Sequence, residues 1–69
     1  MKRILITGAA SGIGLATARH FHDNGWRVGL TDVNDTALAE LAATLNDSWY
    51  RRLDVTDSIA CQHACRDFA

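Results

Sequence analysis

The feature that most constrains this chain is a turn with three glycines, at positions 8, 12 and 14, set between two regular patterns. Before the turn stands the apolar run Ile4-Leu5-Ile6, and directly after it an alanine-rich pattern with helical spacing begins. Glycine loses more conformational freedom than any other residue when a chain is ordered, so three of them at one junction require a structural reason. An unbroken apolar run is typical of a strand covered on both faces, as in a parallel sheet. The stretch therefore predicts a strand that turns tightly into a helix.

The remaining chain repeats this alternation of strand and helix. Strands are predicted at residues 3–7, 26–32 and 48–55, and helices at residues 12–24, 35–46 and 58–69. Asn34 is the expected cap of the second helix, and Thr56 or Asp57 that of the third. The order β-α-β-α-β-α with short connections calls for a parallel sheet. Right-handed crossovers that step outward then give a Rossmann-type α/β fold with strand order 3-2-1, incomplete beyond the first strand.

This strand order has a consequence for the first strand. Both crossover helices lie on the same face of the sheet, while Ile4 and Ile6 point to one face and Leu5 to the other. One of these two sets, together with the outer edge of the strand, is then expected to lack cover. An exposed strand edge recruits another strand, so a protein consisting of these 69 residues alone is predicted to self-associate there.

Charge and apolar patterning exclude several classes of function. The formal net charge of -1 provides no basic surface of the kind that binds nucleic acid or an anionic membrane. The apolar runs are only a few residues long, far short of the roughly 20 that span a bilayer. Thr7 and Gly8 interrupt the run that follows the charged start of the chain, so no secretory signal is expected and a cytoplasmic location is the default.

The two cysteines, Cys61 and Cys65, are few for a secreted scaffold and fit a reducing compartment. His63 lies between them, which raises the question of a metal site. Helical geometry places the two cysteines on one face and His63 on nearly the opposite one, so the three cannot converge. No metal site is predicted.

The glycines and a downstream carboxylate form a pattern suited to a phosphate-bearing ligand. Between a strand and a helix, glycine permits a tight turn, lets backbone N–H groups approach a pyrophosphate, and lets the helix pack closely on the strand. The helix start adds unpaired N–H donors and partial positive charge. Asp32 follows Gly14 by eighteen residues, where a carboxylate can accept both hydroxyls of an adenosine ribose. The alternative is that the glycines serve only the turn; a nucleoside-triphosphatase loop is disfavoured because no Gly-Lys-Ser/Thr follows.

The segment TGAASGIG at residues 7–14 resembles the T-G-x-x-x-G-x-G signature of the short-chain dehydrogenase/reductase family. The segments TDVN at 31–34 and LDVTD at 53–57 resemble the next two cofactor-side segments of that family. Departures are minor: Trp26 is bulky where a small residue is usual, and Arg51-Arg52 makes the third strand unusually polar. The resemblance implies that residues 1–69 are the N-terminal dinucleotide-binding segment of a Rossmann domain, with the catalytic part absent.

The same resemblance implies which residues contact the cofactor. Along the diphosphate and towards the nicotinamide it implies Gly8, Ser11, Gly12, Ile13 and Gly14. Along the adenosine it implies Asp32 at the ribose with Val33 beside it, and Asp54 with Val55 at the adenine. Asp54 has a second interpretation, as a strand-end carboxylate that prepares the turn into the last helix.

The cofactor expected from these residues is NAD rather than NADP. A phosphate on the 2′ oxygen would bring about two negative charges next to Asp32, which is a repulsive contact. By the resemblance, NADP-preferring relatives usually carry a basic residue before the middle glycine or after the second strand. Ser11 and Val33 occupy those positions here.

The resemblance implies an oxidoreductase that transfers hydride between nicotinamide and an alcohol or carbonyl substrate. The family's chemistry uses a Tyr-x-x-x-Lys pair, a serine and an asparagine. Tyr50 is the only tyrosine, Asp54 stands where the lysine is required, and Lys2 is the only lysine. No catalytic residue is therefore assigned, the segment alone is expected to be inactive, and the parent protein is expected to be a homo-oligomer. A non-catalytic nucleotide-binding or sensing module is the alternative.

Overall fold

Three parallel strands form one sheet in the order β1-β2-β3, as the computed structural model of the chain describes for residues 2–69. The strands are β1 (Arg3–Thr7), β2 (Arg27–Asp32) and β3 (Trp49–Arg52), and the helices are α1 (Gly12–Asp23), α2 (Asp35–Thr44) and α3 (Ser58–Phe68). The Rossmann-type fold class and the 3-2-1 strand order predicted from the sequence are confirmed. Within these residues β1 pairs only with β2, so self-association through its other edge stays a prediction.

The main hydrophobic core lies between the sheet and the pair α1 and α2. Ile6, Val28 and Leu30 point from the strands into this core, where they meet Ala18 of α1 and Leu38 of α2. Val28, Leu30 and Leu38 are fully buried. Burial of one such side chain contributes roughly 1.5–3 kcal/mol, so this layer fixes the sheet on which the strand ends are aligned.

The opposite face of the sheet is covered by α3 through Phe68. Leu5 and Gly29 are register partners on this face, and a Cβ built on Gly29 would lie 2.8 Å from Leu5 Cδ1 and 2.9 Å from Phe68 Cδ1. The Phe68 ring is only 5% exposed, and its centroid is 5.5 Å from that of Trp49. The expectation that one side of β1 lacks cover is therefore wrong at Leu5, which is half-buried beneath the end of α3.

Side-chain caps begin two of the three helices. Asn34 accepts a hydrogen bond from the Ala37 N–H at 3.1 Å at the start of α2, as predicted. Asp57 accepts one from the Ala60 N–H at 3.0 Å at the start of α3, which decides between the two residues proposed for that cap. Five elements are shorter than predicted: α1, β2 and α3 by one residue each, α2 by two residues at its C-terminus, and β3 at both ends. No helix within residues 2–69 is long and apolar enough to cross a membrane.

Candidate functional site

The turn between β1 and α1 has the backbone shape for which its glycines are needed. Gly8 and Gly12 adopt φ values of 64° and 59°, which disfavour any residue with a side chain. Gly14 has a different role, because a Cβ at this position would overlap the carbonyl oxygen of Gly8. The first turn of α1 can therefore lie directly against the end of β1 only while residue 14 is glycine.

The N-terminus of α1 is the only helix start in residues 2–69 without a side-chain cap. Ser11 occupies the N-cap position with an extended backbone, φ -155° and ψ 157°, and its side chain makes no cap hydrogen bond. The first N–H groups of a helix have no partner inside the helix. Gly12, Ile13 and Gly14 thus present their N–H groups at the end of the helix that carries partial positive charge, and the Ile13 side chain beside them is 87% exposed.

Asp32, the last residue of β2, places a carboxylate beside this turn. Its Oδ1 accepts a hydrogen bond from the Asn34 N–H at 3.0 Å, and its Oδ2 accepts one from the Ala10 N–H at 3.1 Å. These backbone donors, that of Asn34 first, hold the pKa of the Asp32 carboxyl below its ordinary value of 3.8 against a partial desolvation that raises it. An ionised carboxylate offers about four acceptor positions, so two remain for a ligand.

A second bond holds the same turn to β2. The Ala9 N–H donates to the Thr31 carbonyl oxygen at 2.9 Å, directly beside the bond from Ala10 to Asp32. Sequence reasoning did not single out Ala9 or Ala10, since alanine carries no chemical signal and the partners lie more than twenty positions away in the chain. Hydrogen bonds from two successive backbone N–H groups therefore hold the turn against β2.

A cleft opens at the carboxyl ends of the strands next to this turn. Its walls bring together five of the predicted residues, and it adds one that the sequence did not indicate: Gly8, Asp32, Val33, Asp54 and Val55, with Leu53. Val33 and Val55 are 55% and 60% exposed, which is unusual for valine and leaves two apolar side chains at the cleft. Leu53 is buried, and its N–H donates to the Asp32 carbonyl oxygen at 2.9 Å. The four other predicted residues, Ser11, Gly12, Ile13 and Gly14, begin α1 beyond the cleft.

Asp54 has a local structural role in this arrangement. Its Oδ1 accepts hydrogen bonds from both the N–H and the hydroxyl of Thr56, at 2.9 Å and 2.7 Å. These bonds, that of the hydroxyl first, lower the pKa of the Asp54 carboxyl from its ordinary value. The turn-preparing interpretation of Asp54 is therefore confirmed, and because both bonds go to one oxygen, Oδ2 can still accept from a ligand.

The other candidate groups are possible metal ligands and the two cysteines. No group of three His, Cys, Asp or Glu side chains in residues 2–69 is arranged to hold a metal ion. On α3, Cys61 is half-buried with its Sγ 3.7 Å from the Val55 carbonyl oxygen, while Cys65 is exposed.

Acidification should reveal the bonds of Asp32. A carboxyl whose pKa is lowered by folding stabilises the folded protein above its unfolded-state pKa, and that contribution is lost as the pH falls through the folded-state value. The wild type should therefore exceed Asp32→Asn in resistance to urea at neutral pH, with the difference shrinking below about pH 4. Urea unfolding midpoints of both proteins across this range measure the effect. A difference that is the same at every pH, in the intact protein, would contradict it.

Comparison with known proteins agrees with this fold. The short chain dehydrogenase family model matches residues 2–69. The chain is 40% identical over 67 residues to 2,5-dichloro-2,5-cyclohexadiene-1,4-diol dehydrogenase LinX of Sphingobium indicum, covering 91% of this chain and 27% of that protein. A crystal structure of a short-chain dehydrogenase/reductase from Burkholderia phymatum in complex with NAD superposes with a TM-score of 0.93 at 32% identity, covering 97% of this chain and 25% of that one. An alcohol dehydrogenase from Thermococcus sibiricus complexed with 5-hydroxy-NADP gives a TM-score of 0.90 at 29% identity, covering 97% and 31%.

A parallel sheet with a glycine turn, an uncapped first helix and an acid ending the second strand is typical of the Rossmann fold. The chain belongs to the short-chain dehydrogenase/reductase family, which confirms the resemblance carried by residues 7–14. It spans about a quarter of the length of the curated relatives it matches.

Proposed function

We propose that this chain forms the dinucleotide-binding part of an NAD-dependent oxidoreductase. The observation that carries the proposal is the uncapped N-terminus of α1 lying beside the ionised carboxylate of Asp32. The helix N-terminus attracts an anion, and the carboxylate accepts hydrogen bonds from hydroxyl groups. A dinucleotide has a diphosphate and a ribose next to each other, which need these two kinds of contact.

The glycine turn fits a diphosphate. Gly8, Gly12 and Gly14 present no side chain, so the backbone is open to a bulky anion, and any Cβ on Gly14 would displace the helix. We assign the diphosphate to the N–H groups that begin α1, with Gly8, Ser11 and Gly12 lining it. Ile13, exposed at the first turn, faces the nicotinamide side.

The cleft beyond Asp32 fits an adenosine. The two acceptor positions left on Asp32 match the two ribose hydroxyls. Val33 and Val55 supply apolar surfaces for the faces of the adenine ring, and Asp54 Oδ2 supplies an acceptor for its amino group. This proposal gives the two exposed valines and the second carboxylate one common ligand.

NAD is favoured over NADP by the charge at Asp32. The pKa of this carboxyl is lowered, so the group is ionised at neutral pH, and a 2′-phosphate beside it would be repelled. The hydroxyl of Ser11 and the aliphatic side chain of Val33 provide no compensating cation. The family relatives include one complex with NAD and one with an NADP analogue, so discrimination here rests on these side chains.

The nicotinamide of a bound dinucleotide supplies hydride donation or acceptance, and the residues of this chain bind and orient it. We assign binding of the alcohol or carbonyl substrate and proton transfer to residues in the remainder of the full-length protein. Assembly into a homo-oligomer is assigned to that remainder as well, and the full-length protein is proposed to be cytoplasmic. The 69 residues alone are accordingly expected to bind cofactor without catalysing hydride transfer.

Substitution of Asp32 tests the cofactor assignment. In the intact protein, Asp32→Ala should weaken NAD binding about tenfold or more, because hydrogen bonds to a charged acceptor contribute roughly 1.5–3 kcal/mol each. The ratio of NADP to NAD affinity should rise at the same time, since the repulsive charge is gone. Calorimetric titration of both cofactors measures the two effects.

The matched control is Asp35→Ala, which removes the same charge from an exposed position in the first turn of α2. Both affinities should stay within about twofold of the wild type, because a screened surface charge contributes little. Equal affinities for NAD in wild type and Asp32→Ala would overturn the assignment of Asp32.

A further inference from the structure

Residues 9–11 are flanked by the two glycines that bend the turn, Gly8 and Gly12, both at positive φ. Glycine permits many backbone directions with little difference in energy, so these flanks do not by themselves determine the path between them. What holds this path is β2, through the bonds from Ala9 to Thr31 and from Ala10 to Asp32. The second bond is the one made by a side chain, and a substitution can remove it.

The carboxylate of Asp32 is itself fixed at both oxygens. The Asn34 N–H holds Oδ1 at 3.0 Å, in a turn that belongs to the start of α2. This contact sets the plane of the carboxylate and directs Oδ2 at the Ala10 N–H, 22 residues earlier in the chain. The group therefore joins the end of β2, the start of α2 and the glycine turn.

We infer that Asp32 is a positioning residue for the glycine turn, in addition to any contact it makes with a sugar. Its bond to Ala10 sets the path of residues 9–11 and so places the first N–H groups of α1 where a diphosphate is received. This role rests on the proposed function for its purpose, but the bond that carries it exists without any ligand.

The two roles of Asp32 predict opposite effects on an anion that has no sugar. If the carboxylate acts only through its charge and its hydrogen bonds to ribose, its removal makes the electrostatic potential near α1 less negative and strengthens the binding of inorganic pyrophosphate. If it positions the turn, its removal disorders the donors and weakens pyrophosphate binding. The sign of the change therefore separates positioning from charge.

Amide hydrogen exchange in the intact protein without cofactor tests the contact directly. In Asp32→Ala the Ala10 amide should exchange about tenfold faster or more, because its acceptor is lost, while amides in the centre of β2 keep their protection. Asp32→Ser is the second variant, since a serine hydroxyl can still make the turn with the Asn34 N–H but is too short for Ala10. It should show the same local increase.

Pyrophosphate titration supplies the functional readout. The dissociation constant should rise severalfold in Asp32→Ala and Asp32→Ser. Asp35→Ala is the control, because it removes a carboxylate from an exposed position in the first turn of α2 that makes no hydrogen bond to the glycine turn, and its pyrophosphate affinity should be unchanged or higher. The Ala10 amide should exchange in Asp35→Ala as in the wild type.

Unchanged exchange at Ala10, or tighter pyrophosphate binding in both Asp32 variants, would overturn the positioning role. Failure of the proposed function would look different. Ala10 would still depend on Asp32, but neither NAD nor pyrophosphate would bind the wild-type protein or protect the start of α1.

Discussion

Gly14→Ala is expected to lower the affinity for NAD about a hundredfold. The added Cβ would overlap the carbonyl oxygen of Gly8, so the first turn of α1 must move away from the end of β1. This movement misplaces the N–H donors at the helix start. Loss of one or two hydrogen bonds to a charged group, at about 1.5–3 kcal/mol each, accounts for the size of the effect.

The same substitution should also destabilise the fold, although alanine is the better helix former. Helix propensity favours alanine over glycine by about 1 kcal/mol. Overpacking against other atoms typically costs 1–3 kcal/mol, and here the opposing atom is backbone, which cannot rotate aside. The overlap with a backbone atom therefore outweighs the propensity, and we expect a net loss of up to about 2 kcal/mol.

The matched control for Gly14→Ala is Ala16→Val, which adds a larger volume two residues later at an exposed position of α1. It should bind NAD normally and lose only the few tenths of a kcal/mol expected for a β-branched residue in a helix. NAD titration measures the affinity of both variants, and thermal unfolding measures their stability. Normal NAD affinity and an unchanged melting temperature in Gly14→Ala would show that α1 and β1 do not approach as described.

Phe68→Ala is expected to produce the largest loss of stability, about 3 kcal/mol. The ring is buried over Gly29, with Trp49 at one side and the Arg27 guanidinium carbon 5.2 Å from its centroid. Its removal leaves a cavity between α3 and the sheet that no nearby aromatic ring can fill without moving. NAD affinity should be unchanged at temperatures where the variant is folded, because the ring packs in the middle of β2 and not at the carboxyl ends of the strands.

Two further variants make the Phe68 prediction specific. Ile59→Ala removes a comparable side chain from the same helix at a position 64% exposed and should change the free energy of unfolding by less than about 0.5 kcal/mol. Gly29→Ala should destabilise the wild type, through contacts below 3 Å with Leu5 and Phe68, and should destabilise the Phe68→Ala background less, because only the contact with Leu5 remains there. Additive effects in urea denaturation of this cycle would contradict the packing of Phe68 on Gly29.

The glycine turn and Asp32 could be predicted from the sequence because their signals are local. Three glycines between an apolar run and a helical pattern have few structural explanations, and the carboxylate follows at the end of the next strand. Strand order followed in the same way, since right-handed crossovers leave few arrangements for this alternation of elements. The Asn34 cap was also predictable, because capping depends on residues within one turn.

The features that the sequence did not reveal depend on contacts between distant positions. Gly29 lies inside a strand, where a glycine can mark a close approach of another group, but nothing local identifies Phe68 as that group. The bond from Ala10 to Asp32 joins a backbone N–H to a side chain in a different element, and alanine gives no indication of it. The length of β3 was overestimated because Leu53 continues the apolar alternation although the strand ends at Arg52.

Replacing the acid that ends β2 is the direct way to change the coenzyme preference proposed for this chain. If Asp32 positions the glycine turn as proposed, removing its carboxylate would also release that turn, so weaker discrimination against NADP would be accompanied by weaker binding of both coenzymes. A better redesign retains at residue 32 an acceptor long enough to reach the Ala10 N–H and introduces a cation at Val33 or Ser11, which keeps the path of the glycine turn while changing the sign of the charge that the extra phosphate meets.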